Sequence, residues 1–115
     1  MGLNSVCLLT SLVDPDGLTN IVRYQSTNFP SFITEVENPY HRKATLKYDS
    51  SGNLTSIVDM ISFTNSFQYN SQGLITNMST PYGNTAFQTT TNSGSQAVYR
   101  SVLVTEPNGS RQLYL

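Results

Sequence analysis

The feature that most restricts what this chain can fold into is that it repeats itself. The stretch "YDSSGNLTSIVD" at residues 48–59 returns at 69–80 as "YNSQGLITNMST", keeping a tyrosine, an Asp or Asn, a glycine, an aliphatic residue and a threonine in step. Counted from the aliphatic residue before the threonine, units begin at Leu9, Ile33, Leu54 and Ile75, with a degenerate fifth at Ser101. The intervals of 24, 21, 21 and 26 residues define a basic unit of about 21, lengthened in the first and fourth copies. Thr10, Thr34, Thr55 and Thr76 take the second position, and Leu12, Val36, Ile57, Met78 and Val104 the fourth. Pro15, Pro39, Pro81 and Pro107 share the seventh, where the third unit has Met60. Gly17, Gly83 and Gly109 share the ninth, with His41 and Ser62 standing in, and Tyr24, Tyr48 and Tyr69 share the sixteenth. Such an array is read as stacked copies of one small supersecondary unit.

The unit has the chemistry of strand, turn, strand, turn. "DPDG" (14–17), "TPYG" (80–83) and "EPNG" (106–109) place a proline where a turn wants its φ preset and a glycine where φ turns positive. "YDSSG" and "YNSQG" supply the second turn, with Asp49 or Asn70 able to cap nearby backbone and Gly52 or Gly73 closing it. Between turns the side chains alternate: Leu46 and Tyr48 against Thr45 and Lys47, Phe67 and Tyr69 against Ser66 and Gln68. Period two in short β-branched and aromatic runs means half-buried strands, and no helical stripe competes. The expected fold is all-β, tandem hairpins of about 21 residues in a twisted or curled antiparallel sheet. Its units lie near 9–32, 33–53, 54–74, 75–100 and 101–115 of a single segment, 1–115. Met60 and Ile61 should mark a looser or locally hydrophobic corner. Two polar insertions, "QSTNFPSF" (25–32) and "TTTNSGSQ" (89–96), lengthen their units, and the second, with Gly94, is the candidate mobile loop.

Composition excludes several function classes. Charged residues are 11% of the chain, against about 25% in an average domain, and the net charge is −1. Six scattered basic residues give no phosphate-binding surface, so nucleic acid is not an expected partner. One cysteine, Cys7, allows no intrachain disulfide, and in "SVCLLTSLV" it is expected to pack as a small apolar side chain. No stretch nears the roughly 20 apolar residues of a membrane-spanning helix. "MGLNSVCLL" has no basic n-region, and Val6 stands where a myristoylation signal needs Ser or Thr.

A catalytic constellation is also not expected. The lone histidine, His41 in "NPYHRK", sits at the ninth position and reads as a surface turn residue. One His and one Cys do not make a zinc site of the usual type. Glu35 and Glu37 share a strand face, which would suit Ca²⁺ or an acid–base pair, although a solvated strand face is the simpler reading. The glycines follow the repeat and do not cluster into a phosphate loop. No catalytic, cofactor or metal-binding residue is assigned. The sequons at Asn53, Asn77 and Asn108 matter only in a glycosylating secretory pathway, and the first two follow from the repeat itself.

These residues resemble the Tyr-Asp repeat of the RHS family, the YD-repeat proteins. Its pattern, Tyr-Asp-x-x-Gly-Arg-Leu-Thr and then an Asp-Pro-x-Gly turn, covers residues 9–115. The match lies at Tyr48, Asp49, Gly52, Leu54 and Thr55, and again at Tyr69, Asn70, Gly73, Ile75 and Thr76. Tyr24, Pro81, Gly83, Pro107 and Gly109 extend it. Asn53 and Leu74 replace a common Arg, and Met60 and His41 replace turn residues. The resemblance implies a non-catalytic scaffold: hairpins adding side by side into a hollow shell that encloses or presents a toxin or effector. It implies neighbouring YD repeats, of the same or another copy, as partners, and a secreted or cell-surface parent protein. Open edges would pair with a further copy. Position sixteen of the fifth unit would be residue 116, so the chain reads as a piece of a longer protein. The recurring tyrosines would form an aromatic ladder that packs the sheet. The alternative is a small binding module in which they offer a platform to carbohydrate, or a sheet face to a protein partner.

Overall fold

The computed structural model describes residues 6–94 and 97–115, the side chains of 92–99 apart. Its contacts group into two compact units, one up to Phe63 and one from Thr64 on. In the first unit β1 (Ser11–Val13), β2 (Thr19–Arg23), β3 (Glu35–Glu37), β4 (Lys43–Tyr48) and β5 (Leu54–Val58) pair in sequence order, each antiparallel to the last. In the second, β6 (Thr64–Tyr69), β7 (Ile75–Thr80), β8 (Gly83–Gly94), β9 (Ala97–Thr105) and β10 (Arg111–Tyr114) do the same. The chain is all-β and antiparallel, as its repeat requires.

Six turns share one design. Asp14, Asn38, Asp49, Asp59, Asn70 and Glu106 each accept, at the carbonyl, the N–H three residues on, and each donates its own N–H to the carbonyl four residues on. The fourth residue of each turn has positive φ: Gly17 (80°), His41 (63°), Gly52 (85°), Ser62 (68°), Gly73 (77°) and Gly109 (86°). In the first five turns the leading side-chain Oδ1 also accepts the N–H groups of residues i+2 and i+4, at 2.9–3.0 Å. The short Asx side chain thereby satisfies turn donors that a β-ladder cannot reach. This corrects the expectation of a loose corner at Met60 and Ile61. Asp59 closes that turn with the same bonds as its neighbours, and Asn38 Nδ2 meets Met60 Sδ at 3.4 Å. The corner is apolar, with Ile61 61% exposed, but it is not slack. The "TPYG" turn differs, because Thr80 and Gly83 pair directly around a two-residue loop.

The threonine of the second position has a specific place. Lys47 pairs with Ser56 and Tyr48 with Leu54, so Thr55 is an extra residue on β5, a β-bulge. Gln68 pairs with Asn77 and Tyr69 with Ile75, which makes Thr76 the equivalent on β7. Thr55 Oγ1 donates to the Lys47 carbonyl at 3.2 Å. Thr34, at the same repeat position, donates to the Arg23 carbonyl and accepts the Gln25 N–H. A bulge leaves a strand's ladder interrupted, and a β-branched residue with a hydroxyl suits the gap.

Two expectations about loops and one about packing are corrected. Residues 89–94 are strand: β8 and β9 pair from Ala86 with Thr105 out to Gly94 with Ala97. Thr89, Thr90 and Thr91 are β-branched and hold a ladder well, whatever their polarity. Residues 95 and 96 of that insertion lie outside the described residues. The first insertion is not merely polar, since Phe29 and Phe32 stack with ring centroids 4.9 Å apart. Cys7 is exposed rather than packed, because the strand that follows it, β1, pairs on one side only with β2 and is exposed throughout.

Among the described residues no second sheet or helix covers these strands within either unit, and only the loop holding Phe29 and Phe32 folds over one. Among the described residues no hydrophobic side chain is fully buried, and the one buried polar residue is Glu37. Cross-strand partners share a face, which sorts the first unit. Val36 lies between Val22 and Ala44, Leu46 opposite Ile57, and Tyr48 opposite Leu54. The other face carries Arg23 opposite Glu35, and Glu37 between Ile21 and Lys43.

Candidate functional site

The polar face of β2–β4 gathers the ion pairs found among the described residues. Glu37 is 7% exposed and accepts from Arg23 Nη1 at 2.6 Å, and its other oxygen meets His41 Nδ1 at 2.9 Å. The same Arg23 Nη1 donates to Glu35 Oε1, and Lys43 Nζ stands 3.4 Å from Glu35 and 3.9 Å from Glu37. The hydrogen bond from His41, then that from Arg23, holds the Glu37 carboxyl below the ordinary glutamate value of 4.5. Glu37 and then Glu35 hold Arg23 above its own. The solvated strand face expected for Glu35 and Glu37 is therefore a closed ionic cluster. Arg23 occupies the space between the two carboxylates, so a Ca²⁺ ion there would have to displace a guanidinium. Nor is either carboxylate free to act as a general base. His41, expected as a plain surface turn residue, combines a positive φ with this contact.

The apolar face is organised around Tyr48. Phe32 lies against its ring, centroids 4.9 Å apart and planes at 54°, with Phe29 stacked behind. A Cβ built on Gly52 would stand 3.3 Å from Phe29 Cε1 and from Phe32 Cε2, so the glycine both turns the chain and admits the aromatic arm. Burial raises the Tyr48 phenol above its ordinary value. The Tyr48 hydroxyl donates to the Ile33 carbonyl at 2.7 Å, and Tyr24 does the same to Leu9 at 2.8 Å. Each bond runs from the sixteenth position to the first position of its own unit. In each case a ladder bond precedes it, Leu46 N–H to Thr34 O and Val22 N–H to Thr10 O, both 2.9 Å. The tyrosine thus adds one more rung beyond the last main-chain one. Tyr24 and Tyr48 sit on or beside β2 and β4, with β3 between, so they are not cross-strand neighbours and form no aromatic ladder in this unit.

Several other repeat residues lie in or beside turns. Asp49 leads the β4–β5 turn, its carboxylate held below the usual range chiefly by the Asn53 N–H, and Asn70 leads the β6–β7 turn. Gly83 and Pro107 come together, since a Cβ at Gly83 would fall 2.7 Å from the Pro107 Cβ. Pro81 enters the β7–β8 loop beside Tyr82, which is 85% exposed. Sequence reading missed Asn38 and Asp59 as turn leaders. Their signal was available, because both fill the sixth position that Asp14 and Glu106 also fill.

What the geometry presents is a set of devices for fixing strand register, repeated along the chain, and among the described residues no assembled nucleophile and base. The sequence matches the Teneurin YD-shell family over residues 12–114. This chain belongs to the YD-shell family. No curated protein matches it. The YD-shell assignment supports a structural shell repeat, and an architecture of antiparallel strands with six turns of one design fits the role. A structural family also favours a non-enzymatic role. No helix among the described residues is long and apolar enough to cross a membrane.

Proposed function

We propose that this chain is a length of wall in a YD-repeat shell that encloses or presents a toxin or effector domain of a longer, exported protein. The observation that carries the proposal is an apolar sheet face without a covering layer in its own unit, bounded by open strands. Among the described residues β1, in the first unit, has only β2 beside it and β10, in the second, only β9, and they expose Leu12 at 60%, Val13 at 58%, Leu113 at 62% and Tyr114 at 55%. Further repeats of the same or another copy would satisfy both the edges and those side chains. The binding-module alternative, a tyrosine platform for carbohydrate, gains no support from Tyr48, whose ring is already in contact with Phe32.

Light scattering after size exclusion, over a wide concentration range, tests the wall. Concentration-dependent dimers or larger assemblies are expected. A monomer at every concentration would count against open edges. Enclosure is tested separately in the parent protein: a protease that digests the free cargo should spare it inside the assembled shell.

A further inference from the structure

The β9–β10 turn departs from its siblings in a way that exposes it to spontaneous chemistry. Its leading residue is Glu106, whose longer side chain does not cap the turn; Glu106 Oε1 instead accepts from Gln112 Nε2 at 3.1 Å. Ser110 N–H, which elsewhere would bond to the leading Asx, goes to Asn108 Oδ1 at 2.8 Å. Asn108 therefore does the capping from the third position of the turn, immediately before Gly109. It is the only Asn-Gly pair in the sequence. Residues 107–115 are all exposed, β10 pairs on one side only with β9, and open space surrounds the Gly109 Cα where a side chain would stand.

We propose that Asn108–Gly109 is a site of succinimide formation that opens the β10 edge. The Gly109 amide nitrogen attacks Asn108 Cγ; the N–Cγ bond forms, the Cγ–Nδ2 bond breaks, and Nδ2 leaves as ammonia carrying the amide proton. Water then opens the imide at either carbonyl, leaving aspartate or isoaspartate at position 108. Glycine at 109 puts no side chain in the path of attack. The Ser110 N–H on Oδ1 draws electron density from Cγ. Opposing the step is the bond from Gly109 N–H to the Glu106 carbonyl at 2.9 Å, which must open first. An exposed turn next to an edge strand sits at the low end of local opening free energies. Isoaspartate places an extra methylene in the main chain of a turn whose closure depends on bonds three and four residues apart. It also removes the side-chain carbonyl from its present position over Ser110. The β9–β10 pairing is the element that loses.

The test is to incubate the folded chain at mildly alkaline pH, then map the products by peptide mass spectrometry and by enzymatic methylation of isoaspartate. The expected result is ammonia loss and isoaspartate at position 108, while Asn53, Asn70, Asn77 and Asn84 stay intact. Amide exchange should rise in Arg111–Tyr114 of the converted fraction only. Asn108→Gln, which disfavours the larger ring, should abolish the product. Conversion no faster than at Asn53 or Asn77, or conversion seen only after denaturation, would overturn the proposal. So would a converted fraction whose Arg111–Tyr114 amides exchange as before.

Discussion

Gly52 and Gly73 occupy the same turn position with nearly the same φ, 85° and 77°, but only one of them has neighbours. Alanine at either site must adopt a left-handed conformation, at about 1–2 kcal/mol. The unfolded chain loses freedom at the same time, which returns about 0.4–1 kcal/mol. Gly73→Ala, with nothing within 4 Å of the new methyl, should therefore cost about 1 kcal/mol. At Gly52 the methyl would press on Phe29 Cε1 and Phe32 Cε2 at 3.3 Å, contacts that must open by a few tenths of an ångström. The arm cannot retreat freely, since Phe32 is held between Phe29 and Tyr48. Disturbing one such aromatic pair costs about 0.5–1.5 kcal/mol, so Gly52→Ala should cost about 2 kcal/mol in all. Urea midpoints of the two variants against the parent chain measure the difference. Phe29→Ala in the Gly52→Ala background should recover most of the excess, because the two sites couple. Equal losses at Gly52 and Gly73, or no recovery in the double variant, would show that the arm does not pack on the turn.

Other outcomes follow from the same geometry. Ser62→Gly should stabilise the chain by about 0.5 kcal/mol in thermal melts, as relief of the left-handed serine outweighs the added freedom of the unfolded state. Tyr48→Phe, which removes only the rung to Ile33, should cost about 1 kcal/mol in urea titrations, and Thr55→Val, which keeps the branched shape at the bulge, a similar amount. Glu37 has a folded value depressed below 4.5, so its contribution is present above that pH and is lost as pH falls through the folded value. Melting temperatures recorded from neutral to acid pH should fall over that window, and Glu37→Gln should be less stable at neutral pH with a flatter acid limb.

The register of the repeat was legible because tight turns have strict local chemistry. Every ninth position described as a turn has positive φ, whether it holds glycine, His41 or Ser62. The sequence pattern alone also located Tyr48 and Thr55, but not why they recur. The tyrosine hydroxyl reaches a carbonyl fifteen residues back, and the threonine is an unpaired bulge residue; both are facts of strand pairing that spacing does not display. Polarity misled in two places. Thr89–Thr91 read as a loop because threonine is polar, yet its branched Cβ favours strand. Glu35 and Glu37 read as solvated because their cations come from other strands, Arg23 on β2 and Lys43 on β4. Cys7 read as packed because its neighbours are apolar, and apolar neighbours on an edge bury little.

The bulge at Thr55 has a consequence for how such a chain can change over evolutionary time. Leu54 and Ile57 are three apart, an odd spacing that would send them to opposite faces of a regular strand, yet they pair with Tyr48 and Leu46, which share a face. The extra residue corrects the parity in the β4–β5 hairpin, as Thr76 does in β6–β7, and the turn of each hairpin is closed by its own bonds. Register is thus reset inside each of these two hairpins rather than carried over from the one before. Gain or loss of a whole unit leaves the faces of its neighbours unchanged. Deleting a single residue between Tyr48 and Ile57, by contrast, would exchange the two faces of β5, turning Ser56 and Val58 to the side that Leu54 and Ile57 now take. A gene built this way tolerates recombination between its copies far better than it tolerates a one-codon slip.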